Sequence, residues 1–129
     1  MKSEMTDQES ELVELTQQLL NSIASCDWET YVDLCDESLT AFEPEARGSL
    51  VHGMPFHRFY FELGPSREPR NTTICDPHVR LMGDVGVIAY TRLVQSCSAD
   101  DGPITSTYQE TRVWRKTDGK WKHVHFHRS

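Results

Sequence analysis

Apolar residues recur at helical spacing early in the chain and at alternate positions in its second half, and the period changes near Thr72. Thr6-Asp7-Gln8-Glu9 reads as a capping box, in which a Thr hydroxyl and a Glu carboxylate each accept from the other residue's backbone amide. Leu12, Leu15, Leu19, Leu20 and Ile23 follow at helical intervals. They predict an amphipathic helix ending near Ser25. Asp27 is placed to cap a short second helix that buries Trp28, Tyr31, Val32 and Leu34 or Cys35. A brief strand is expected over Leu39 to Phe42, broken by the Glu43–Gly48 segment. Pro55 opens a third, aromatic-rich helix through Glu62.

From Thr72 onward the period is two. Four strands are predicted at about 72–82, 86–97, 104–116 and 120–128, separated by Gly83-Asp84, the run Asp100 to Pro103, and Asp118-Gly119. Asp-Gly tolerates the positive φ angles of a tight hairpin. Helices followed by a meander of long antiparallel strands make an α+β layout. Strongly twisted strands of that length can curl around a helix and leave a cone with an open mouth.

Alternation sorts the side chains of these strands onto two faces. Arg92 falls with Ile88, Tyr90 and Val94, Arg112 with Tyr108 and Trp114, and Arg128 with Val124 and Phe126. A guanidinium stays charged at ordinary pH, so a half-buried one needs an anionic partner. Two readings stand. The arginines pair with internal carboxylates, Glu110 being on the same face as Arg112, or they line an anion pocket with His57 and Tyr31 at its rim. The same alternation puts His123, His125 and His127 on the opposite face with Trp121, Val113 and Thr111. Two such histidines could hold zinc, but no cysteine or acid of matching spacing completes a site. Bulky, weakly charged residues on an outer face also fit a protein contact.

Composition narrows the partners. In 129 residues, 20 acids against 13 bases give a net charge of −7. That speaks against nucleic acid and against anionic lipid, since both select basic surfaces. No run is long and apolar enough to span a bilayer, and the polar, acidic stretch from Met1 to Ser10 is unlike a secretory signal. Cys26, Cys35, Cys75 and Cys97 form no C-x-x-C pair and read as reduced core residues of a cytoplasmic protein. No phosphate loop, dinucleotide fingerprint, G-x-S-x-G or kinase signature occurs, and no cofactor is called for. If the chain were an enzyme, His57 and Glu110 would be its acid–base candidates.

Several uninterrupted runs carry a family resemblance: LTAFEPEA from Leu39, FHRFYFE from Phe56, ETRVW from Glu110, DGKW from Asp118 and VHFHRS from Val124. Shorter ones are Pro77-His78, LMGD from Leu81 and IAY from Ile88. Together they resemble the association, or hub, domain of calcium/calmodulin-dependent protein kinase II. The resemblance implies a single domain over residues 1–129 with an NTF2-like α+β cone, a long N-terminal helix packed in a strongly curved antiparallel sheet. It implies a non-catalytic homo-oligomer of stacked double rings, roughly a dozen or more copies, organising kinase domains whose activity lies elsewhere in the family's chains. It also implies a pocket at Arg92, Arg112 and Arg128, with His57 and Tyr31 nearby, taking a small carboxylate or the kinase regulatory segment. The loop from Leu63 to Pro69 is shorter than in vertebrate members, and His123 and Arg80 replace more typical residues.

Overall fold

The computed structural model describes residues 5–66 and 68–129. Its elements are α1 (Asp7–Ala24), α2 (Trp28–Leu34), β1 (Cys35–Phe42), β2 (Val51–His52), α3 (Pro55–Glu62), β3 (Arg70–Met82), β4 (Val85–Ser98), β5 (Gly102–Thr117) and β6 (Lys120–Arg128). Both arms of the Thr6/Glu9 capping box form, and Asp27 caps α2 through the Thr30 amide. Between these helices Cys26 takes a left-handed φ of 59°, which turns the chain. Asp118 and Gly119 both have positive φ, as a tight hairpin requires.

The sheet order is β2-β1-β6-β5-β4-β3. β3 to β6 form the expected antiparallel meander. β1 is the exception: it runs parallel to β6, so the sheet is mixed, and it starts at Cys35 rather than Leu39. The two-residue β2, absent from the sequence reading, pairs with its outer edge. Pairing between segments so far apart leaves no trace in local periodicity.

α1 lies on the concave side, where Leu12, Leu19 and Leu20 are fully buried with Leu39, Ile88 and Trp114. Burying each large apolar side chain contributes about 1.5–3 kcal/mol. A polar thread crosses this core: the Trp114 indole donates to Thr16 Oγ1 at 3.2 Å, and that hydroxyl donates to the Leu12 carbonyl at 2.7 Å. Leu12 presses so closely on β4 that residue 86 has no room for a Cβ, and glycine is there. In α2, Tyr31 and Leu34 are buried as expected, but Val32 is 42% exposed, because a helix this short offers one face to the core.

One irregularity alters the reading of β6. Arg112 pairs with Phe126 and Val113 with His125, but Trp114 pairs with His123, so Val124 is an extra residue. A bulge of this kind reverses the alternation beyond it. Trp121 and His123 therefore turn inward and are buried, against the expectation that they face outward. His125 and His127 keep the outer face, and Val124 leaves the row of Phe126 and Arg128.

Candidate functional site

Cross-strand register assembles the site. Ile88, Arg112 and Phe126 form one row across β4, β5 and β6; Tyr90, Glu110 and Arg128 form the next; Arg92 opposite Tyr108 forms a third. The concave face of three neighbouring strands thus collects the arginines. α3 brings His57, and α2 brings Tyr31, to the other side of the same cavity of about 300 Å³. All five sequence-predicted site residues line it.

The inner end is a closed network. Arg112, 1% exposed, donates from Nε to Tyr90 Oη at 2.8 Å and from its second terminal nitrogen to Glu110 Oε1 at 3.1 Å. Tyr90 donates in turn to the same carboxylate oxygen. Arg92 reaches Glu110 Oε2 at 3.2 Å. The Phe126 ring lies 4.4 Å from the Arg112 guanidinium carbon, a cation–π contact in a dry setting. Burial alone would raise the Glu110 carboxyl, yet the Arg112 and Arg92 charges hold it below the usual carboxylate range. Burial likewise opposes the Arg112 charge, but Tyr90 and Glu110 raise its pKa further still.

His123 completes this end. Its Nε2 lies 3.3 Å from the Arg112 guanidinium, which can only donate, so Nε2 is the acceptor and the proton resides on Nδ1. Nδ1 faces the Cys35 sulfur at 3.6 Å. Burial, then the Arg112 charge, pushes the His123 pKa well below its ordinary value. Burial pushes the Cys35 thiol up to about 12, so it is not a nucleophile at neutral pH.

The mouth is more open. Arg128 pairs with Glu45, and its guanidinium lies over Tyr108. His57 pairs with Glu43, Nε2 to Oε2 at 2.7 Å, with both side chains buried. His57 and Glu110 are therefore bound to different partners and do not meet as an acid–base pair. Arg70 also lines the cavity. Arg92 and Arg112 share Glu110, Arg128 holds Glu45 and Glu43 is taken by His57, so that of the cavity's four guanidiniums Arg70 is left without a carboxylate partner among the described residues. Among the described residues no cluster of metal-ligating side chains occurs.

Residues 8–129 match the family described as the calcium/calmodulin dependent protein kinase II association domain. This chain belongs to that family. The association domain is 52% identical over 122 residues to the delta subunit of the type II kinase from Oryctolagus cuniculus, covering 92% of this chain and 23% of that protein. It superimposes on the association domain of C. elegans CaMKII with a TM-score of 0.90 at 45% identity, covering 95% of each chain. An NTF2-like protein from Cytophaga hutchinsonii, at 19% identity, covers 97% of this chain and 98% of that one with a TM-score of 0.77, a likeness of fold alone. The fold is the NTF2-like one, with a long helix against a curved sheet.

Sequence reasoning did not assign Ile23, Glu43, Glu45, Tyr60, Phe61, Arg70 and Phe126 to the association domain's cavity, which they also line. Glu43 left a signal, since it continues the inward alternation of Leu39 and Ala41 by one step. Phe61 left one too, lying one helical turn after His57 on α3, whereas Glu45 sits in a turn and Arg70 at the start of β3, where no periodicity operates.

Proposed function

We propose that the association domain self-associates, into the stacked double ring of roughly a dozen or more copies expected from the resemblance, and that each copy carries an anion pocket at its concave face. The convex face of the sheet carries the assembly reading. Two rows cross four strands there: Val87, Val113, His125 and Thr40, and beside them Ala89, Thr111, His127 and Phe42. None is an acid, a lysine or an arginine, and burial and then the neighbouring His127 lower the His125 pKa. In a chain that is 26% charged, such a band fits contact with a second copy. Native mass spectrometry at micromolar concentration tests it. Multiples of the subunit mass are expected, with Val113→Glu shifting them toward monomer; a wild-type monomer would refute the reading.

The pocket reading rests on the uncompensated charge. Arg70 is exposed and has no carboxylate partner among the described residues, while Arg92 Nε and Arg128 Nε are buried without a hydrogen-bond partner; an unmet buried donor costs about 1–3 kcal/mol, so the cavity favours an anion. A small carboxylate, or an acidic residue of a kinase regulatory segment, supplies one. Titration calorimetry with butyrate checks this, and no heat of binding at millimolar ligand would sink it.

A further inference from the structure

We propose that the anion pocket continues past Tyr60 and Arg70 into an apolar groove, and that the joint site takes a monocarboxylate with an unbranched apolar tail of medium length. This rests on the anion reading above and adds the tail. A second cavity of about 290 Å³ adjoins the first and shares Ile23, Tyr60, Phe61 and Arg70 with it. Tyr60 and Arg70 are both exposed, so they border the passage without sealing it. Beyond them the groove runs along Cys26, Leu63 and Pro65. Arg70, at the border, is the one charged side chain among the described residues lining it.

Chemistry decides what fits. The Cys26 thiol is already donated to the Phe61 carbonyl at 3.0 Å, so it offers the groove sulfur surface and no free donor. Leu63, 70% exposed at the groove's rim, gains most from an apolar cover. A polar tail finds few partners. At the border, Arg70 is the one cavity guanidinium without a carboxylate partner among the described residues, so it matches one carboxylate, while a second would bring a negative charge that no free guanidinium there offsets. The head is thus singly anionic and the tail is hydrocarbon.

The test is a calorimetric series on the wild-type protein with butyrate, hexanoate and octanoate, the last below its micelle concentration. Burying a methylene strengthens binding about fourfold, and half covering it about twofold. Octanoate should therefore bind tens of times more tightly than butyrate. In Leu63→Ser, an exposed position that leaves the fold intact, butyrate should bind as before and the gain with length should shrink. Octanol should bind far more weakly than octanoate. Equal affinity for butyrate and octanoate would overturn the groove and leave the anion pocket standing. Failure of every acid to bind would overturn both. Octanol matching octanoate would overturn the carboxylate head.

Discussion

The two ends of the cavity use the same residue type under opposite conditions. At the inner end, Arg112 is held by Tyr90, Glu110 and His123 from three successive strands and lies against Phe126. At the mouth, Arg128 has one carboxylate partner, Glu45, whose side chain is 38% exposed. The inner guanidinium is part of the core and is over-determined; the outer one is loosely tethered and free to meet a ligand. Burial, more than charge, separates a structural arginine from an available one.

The sharpest way to break this contrast is to remove the inner carboxylate. Glu110→Ala leaves Arg92 and Arg112 buried beside each other without a counter-charge. Breaking a buried pair in this way costs about 3–5 kcal/mol. Urea denaturation should show that loss. A change below about 1 kcal/mol would mean that the inner network is as dispensable as the mouth.

A smaller effect comes from pH, and its sign follows from His123. The folded protein depresses the pKa of this histidine, first by burial and then through Arg112. The unfolded chain therefore binds the proton at higher pH, near the ordinary value of about 6.5. Stability present above that pH is lost as pH falls below it, until the folded-state pKa is reached. Glu110, whose pKa is lowered despite burial, contributes stability above the ordinary carboxylate range and loses it only at more acidic pH. The two windows are separate. Between pH 7.5 and 5.5 the wild-type urea midpoint should fall, and in His123→Leu the slope should be flatter. Parallel slopes would show that His123 does not govern this window.

How much of this contrast was legible in the sequence differs between its parts. The three arginines were read correctly onto one face, because β4 and β5 alternate without interruption through Arg92 and Arg112, and Arg128 lies on the C-terminal side of the bulge. His123 was read onto the wrong face for the same reason. It lies on the other side of Val124, and one inserted residue shifts the phase with no compositional signal. The first helix and the four long strands were placed within a few residues, since capping, Asp-Gly and period-two patterning are local. β1 parallel to β6 was not foreseen, and Glu43 and Glu45 enter the site through that pairing and the turn beyond it. The partner of each arginine was half visible: Glu110 shares the Arg112 strand, whereas Glu45 is far from Arg128 in sequence and adjoins it only after β1 has found β6.

The mouth pair gives the smallest effect on stability and the clearest separation of stability from binding. Burial would raise the Glu45 carboxyl, but its bond to Arg128 outweighs this and the pKa is lowered. With Glu45 over a third exposed, water screens the attraction, so the pair contributes about 0–1 kcal/mol to folding. Glu45→Gln keeps the shape and removes the charge. Its urea midpoint should stay close to wild type at neutral pH. Butyrate affinity should nevertheless rise, because a second guanidinium in the cavity is then uncompensated, and added salt should erode that gain by screening. Unchanged or weaker butyrate binding in Glu45→Gln, at low salt and with the fold intact, would show that Arg128 is not available to the ligand and that the mouth is as closed as the inner end.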